Sequence, residues 1–142
     1  MAVRDVELTA IEAKRFTRRG ERAPIDRLDQ NSSVSMIVPV DEKTADVEFR
    51  FTVTYGAVAS IRIEGRMLYQ GDAEKLAATW REKRNMPNEV ASEIHTAVMG
   101  ACIPEAVLVA RDLHLPPPVP LPQVRFEQKG PDSKASFRPE VA

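Results

Sequence analysis

Residues 45–70 read ADVEFRFTVTYGAVASIRIEGRMLYQ, and no other stretch restricts the fold as tightly. Val47, Phe49, Phe51, Val53 and Tyr55 alternate with Glu48, Arg50, Thr52 and Thr54, so an extended chain puts all five apolar side chains on one face. Gly56 marks a turn. The second run carries Ile61, Ile63, Met67 and Tyr69 against Arg62, Glu64 and Arg66. Two strands of similar length, this close in sequence, pair most economically as a hairpin. One face of that hairpin must be buried against another layer.

The preceding residues alternate as well. In VELTAIEAKRFT, Val6, Leu8 and Ala10 alternate with Glu7, Thr9 and Ile11. A polar, turn-rich stretch, RGERAPIDRLDQNSS, separates this strand from VSMIVPV, where Val34, Met36, Val38 and Val40 are expected on one face. Pro39 cannot donate a ladder hydrogen bond, which places that strand on an edge. The period then changes. In GDAEKLAATWREKRNMP, Asp72 is a suitable N-cap and Leu76, Ala77 and Trp80 recur at helical spacing. From Asn88 a second, longer helix is expected, kinked or split near Pro104, whose ring displaces the carbonyl four residues back. Charge is nearly absent from Ile94 to Ile103, which predicts burial on most sides, more than one small sheet supplies and as much as a subunit interface would. Pro116, Pro117, Pro118, Pro120 and Pro122 then forbid a helix. With Val119, Leu121, Val124 and Phe126 spaced among them, residues 115–126 read as an extended arm packed along the globular body. The fold class is therefore α+β: a four-stranded antiparallel sheet, two helices and a proline-rich C-terminal arm. Residues 1–126 form one domain and 127–142 a disordered tail.

Composition narrows the function. Twenty basic residues stand against 21 acidic ones, with no basic stripe beyond the run from Lys14 to Arg22, which reads as a solvated loop. That balance argues against nucleic acid as a partner. The N-terminal MAVRDVELTA lacks the apolar core of a leader, and no apolar run of membrane length is read, so no membrane insertion is expected. The single cysteine, Cys102, excludes an internal disulfide or a cysteine-cluster zinc site and suits a reducing cytoplasm. No cofactor is called for.

Catalytic patterns are thin. His95, Met99 and Cys102 share a helix face, but His95 and Cys102 stand two turns apart with no third ligand nearby. They read as a hydrogen-bonded histidine and a buried thiol, although an enzyme using either residue is the third functional reading. His114 beside Asp112 reads as local hydrogen bonding. Glu89 and Glu93, one turn apart, complement a helix N-terminus. Pro117 and Pro120 satisfy PxxP, but the flanking apolar residues favour self-packing over an SH3 ligand.

Two segments carry a resemblance. VEFRFTVTYG, from Val47, is similar to the central strand of the SecB family of protein-export chaperones. IPEAVLVARDLHLPPPVPLPQVRF, from Ile103, resembles that family's proline-started last helix and its proline–valine–X–phenylalanine ending. Here the alanine–arginine pair, Ala110 and Arg111, falls later along the helix, and one residue is inserted between Pro122 and Val124. The order of elements matches from about Val6 to Phe126. The resemblance implies a cytoplasmic homo-oligomer, dimer or tetramer, that holds unfolded or extended polypeptide clients and serves protein transport without catalysis. Phe49, Phe51, Tyr55, Met67 and Tyr69 are then the candidate client-binding residues, provided they are exposed; complete burial would make them core. The alternative is a dedicated assembly or scaffold protein of the same fold that binds one folded partner.

Overall fold

A computed structural model describes residues 2–18, 25 and 27–119. Strands β1 (Val3–Arg15), β2 (Leu28–Pro39), β3 (Thr44–Tyr55) and β4 (Ala59–Gln70) precede helices α1 (Ala73–Lys83) and α2 (Asn88–Asp112). The sheet is antiparallel in the order β1-β4-β3-β2. The β3–β4 hairpin takes the centre, because its alternating apolar residues need cover on one whole face. β2 is an edge strand and ends on Pro39, where a missing N–H costs nothing. On the inner face Phe49 pairs with Gly65, Phe51 with Ile63 and Val53 with Ile61, and all of them are buried. Helix α1 lies over β2 and β3, while α2 touches all four strands. Burying each large apolar side chain in this layer contributes roughly 1.5–3 kcal/mol.

The edges depart from simple alternation. β2 begins at Leu28, inside the stretch expected to be a polar turn, because ladder bonds to the well-defined β3 recruit Gln30 to Ser33 despite their polarity. One register shift lies between Val34 and Met36. It separates the expected face: Val34 pairs with Phe49 on the inner side, whereas Met36 and Val38 pair with Glu48 and Asp46 on the outer side, and Ile37 is buried instead. β1 shifts twice, between Arg4 and Glu7 and between Leu8 and Ala10, with Asp5 at φ 54°. Leu8 and Ile11 therefore share the inner face, and Ala10 pairs with the outward Glu64. The shifts after Val34 and after Leu8 fall at the level of the Phe49–Gly65 pair, one on each edge. Bulges of this kind bend the strand and strengthen its twist.

Asp72 caps α1, its carboxylate accepting from the Lys75 N–H at 3.2 Å. Arg84 closes the helix in the left-handed region, donating its N–H to the Trp80 carbonyl, and its guanidinium stands 5.9 Å from the Trp80 ring centroid. Pro87 sits at the N-cap of α2. Helix α2 is continuous through Pro104 rather than split. Pro104 and Gly100, the residue whose carbonyl loses its partner, are both exposed, so water can satisfy that oxygen. Only Ile94, Val98, Cys102, Ala106 and Ala110 are buried, a single line at four-residue steps. Burial on most sides is thus not complete in the single chain: Ala97, Ala101, Ile103, Val107 and Val109 are only partly buried and Leu108 is 51% exposed.

Beyond α2 the chain lies on the body. Arg15 of β1 caps the helix end, its Nη1 donating to the carbonyls of Leu113 (2.8 Å) and His114 (3.0 Å). The Tyr55 hydroxyl donates to the Pro116 carbonyl at 2.7 Å, and the Gln30 side-chain amide to that of Pro118. Leu115 and Pro118 are buried while Pro116 is exposed, a three-residue recurrence that matches polyproline II. The packed arm is therefore present over residues 115–119. Its expected continuation to Phe126, Pro120 of the PxxP pair and the expected tail 127–142 all lie outside the described residues.

Candidate polypeptide-binding surface

Of the five residues singled out for client contact, Phe49, Phe51, Tyr55 and Met67 are no more than 1% exposed. They form the floor beneath the helices and the arm, so the condition that marks them as core holds. The reason is the covering layer: alternation identifies a buried face but not what buries it. Tyr69 differs. It is half-buried at the rim, where burial first, and then the charges of Glu93 and Glu89, push its hydroxyl above the usual tyrosine range.

The cover stops short at the β1 edge. Ile11 pairs with the fully buried Ile63 yet is 44% exposed, and Ala13, paired with Ile61, is exposed as well. Phe16, just past the strand, is 53% exposed. At the opposite edge, Met36, Val38 and Val40 are exposed beside Glu48 and Asp46. The alternation is the signal for these residues, but the bulges that reverse it at Leu8 and Val34 leave no trace in composition.

The outer face is laced with ion pairs. Arg66 meets Glu7 at 2.7 Å, Arg62 meets Glu12 at 2.5 Å and Arg50 meets Glu64 at 3.0 Å. Each arginine is matched with a carboxylate on the neighbouring strand, the cross-strand pairing that favours this register. The hydrogen bond that Arg62 donates to Glu12, and then that carboxylate's charge, raises the Arg62 pKa above its ordinary value.

The histidine–cysteine face resolves into packing. His95 Nδ1 lies 2.7 Å from Ser32 Oγ, joining α2 to the edge strand β2. Cys102 is buried, and burial pushes its thiol up to about 11. A protonated, enclosed thiol is a poor nucleophile. Among the described residues no three His, Cys, Asp or Glu side chains converge as a metal site. At pH 8 a thiol reagent is expected to label native Cys102 only as fast as the chain opens, and the urea-unfolded chain at once. Immediate stoichiometric labelling of the native chain would contradict this burial. Because the folded pKa is raised, the folded chain holds the proton more tightly, so this residue's contribution to stability falls as pH rises from about 9 through about 11.

By length and composition alone, α2 could cross a membrane, contrary to the expectation that no such run exists. Its buried line nevertheless packs on the sheet, and Glu89, Glu93, Glu105 and Arg111 interrupt its other sides.

A four-stranded antiparallel sheet covered on one face by two C-terminal helices is an α+β fold, and it is the fold of SecB-like chaperones. The Mycobacterium tuberculosis SecB-like chaperone Rv1957, solved in complex with a ChAD peptide from the Rv1956 HigA1 antitoxin, matches with a TM-score of 0.51 at 17% identity, over 87% of this chain and 86% of that one. No protein-family model matches the chain, and no curated protein does either.

Proposed function

We propose that this chain is a SecB-like chaperone that holds non-native or extended polypeptide segments without catalysis, working in the cytoplasm as a homo-oligomer, dimer or tetramer. The observation that carries the reading is the inner apolar face left open at β1, on a fold whose solved neighbour is a peptide-binding chaperone. Ile11 offers a client apolar area that water now covers, at about 25 cal/mol per Å² buried, while Phe16 lies toward the outer side with Glu12, Thr52 and Thr54. Tyr69 stands at the rim. Phe49, Phe51, Tyr55 and Met67 join the contact only where the overlying segment moves aside. The side of α2 that carries the exposed Leu108 is the surface through which copies pair. A role in protein transport would run through the outer sheet face, where Asp46 and Glu48 stand beside the ion-paired arginines.

The second reading, one dedicated partner, is favoured by the neighbour's being solved with a peptide from one antitoxin. Saturable binding to a single protein would select it.

A denatured client diluted into buffer tests the first reading. The parent chain is expected to suppress aggregation near stoichiometric amounts, and Ile11→Asp to lose most of that effect at an unchanged urea midpoint. A parent chain that leaves aggregation untouched contradicts it.

A further inference from the structure

The segment that follows α2 is held in an unusual way. Three strands each supply one donor: Arg15 from β1 to the helix-end carbonyls of Leu113 and His114, Tyr55 from β3 to Pro116, and Gln30 from β2 to Pro118. Pro116, Pro117 and Pro118 have no N–H to offer. The seat therefore asks its occupant for carbonyl oxygens and two apolar plugs three residues apart, here Leu115 and Pro118. Carbonyl recognition is independent of side chain, and a polyproline II segment arrives with little ordering left to lose. The hold is also local. His114 takes a left-handed φ of 57°, a conformation disfavoured for a residue with a Cβ, at the point where the segment leaves the helix.

We propose that the seat formed by Tyr55 and Gln30 is a docking groove for extended, proline-bearing peptide segments, and that residues 115–119 are its resident competitor. The proposal rests on the chaperone reading in one respect: the incoming segment belongs to a client. It assigns that client a chemistry, an apolar residue followed three positions later by proline. It also explains how Tyr55, fully buried beneath the arm, comes to face a ligand. Arg15 remains with the helix end, because the Leu113 and His114 carbonyls it caps belong to the turn that closes α2, ahead of the seated residues.

The probe is a fluorescein-labelled LHLPPPV peptide, with LHLSSSV as its control. In the full chain, Pro118→Ser removes one plug of the competitor and leaves the groove intact. This variant is expected to bind LHLPPPV about tenfold more tightly than the parent, since a groove that is seldom vacant lowers apparent affinity by its vacant fraction. Adding Tyr55→Phe and Gln30→Ala is expected to abolish the gain, and LHLSSSV to bind more weakly throughout. In the unaltered chain, saturating LHLPPPV that carries a nitroxide label is expected to broaden the Gln30 side-chain amide resonance, a readout that does not depend on any variant folding. Equal affinity for parent and Pro118→Ser, or a Gln30 resonance left unbroadened by the nitroxide-labelled peptide, overturns the proposal. A carboxymethylated unfolded protein separates the two ideas. If it binds and LHLPPPV does not displace it, the groove fails while the chaperone reading stands. If it does not bind while nitroxide-labelled LHLPPPV broadens Gln30, the groove stands and the general chaperone reading fails.

Discussion

Gly65→Val is expected to leave the chain without a stable fold. A Cβ at Gly65 would stand 2.4 Å from the Glu7 carbonyl oxygen and 2.6 Å from Cζ of Phe49. One obstacle is a buried aromatic ring and the other is backbone held in the β1–β4 ladder, so neither can move without breaking contacts of its own. Overpacking a core by a single methyl group typically costs about 1–3 kcal/mol, and valine adds two more at a site with no room for the first. Domains of this size have only about 5–15 kcal/mol in all. Urea unfolding followed by circular dichroism should show the transition lost or its midpoint sharply lowered. Removing the ring as well, with Phe49→Ala, is not expected to rescue the variant, because the Glu7 oxygen remains. A Gly65→Val chain with the parental midpoint would contradict the packing described for this row.

Phe51→Ala carries the next largest effect and separates core from binding site. Phe51 is fully buried and pairs with the fully buried Ile63. Truncating a buried phenylalanine costs about 3–5 kcal/mol through lost transfer energy and the cavity left behind. Loss of client binding should then follow loss of stability, as an indirect consequence. A variant as stable as the parent but unable to bind a client would return Phe51 to the binding surface.

These two residues also show how the chain could be read from its sequence. The central hairpin was legible because β3 alternates from Val47 to Tyr55 and β4 from Ala59 to Met67. The edge position of β2 followed from Pro39, the α1 cap from Asp72 and the start of the packed arm from the prolines after Leu115. What escaped the sequence was set by tertiary contacts. Gln30 and Ser32 look like turn residues, yet they sit in a strand because β3 offers ladder partners and because Pro118 and His95 meet their side chains. The bulges at the level of Gly65 reversed the expected faces of both edges. Four of the five aromatic and apolar candidates are buried in the single chain, for a reason alternation cannot express: one period describes a strand face whether a helix, an arm or a client covers it. The apolar side of α2 ran the other way, with less cover in the single chain than its composition suggested.

The central claim, an oligomer that holds non-native chains, is tested most directly by its mass. Light scattering on a sizing column, run with and without an equimolar unfolded client, is expected to show a dimer or tetramer whose mass rises by one client chain. A monomer whose mass is unchanged by the client would contradict both the assembly and the function proposed for it.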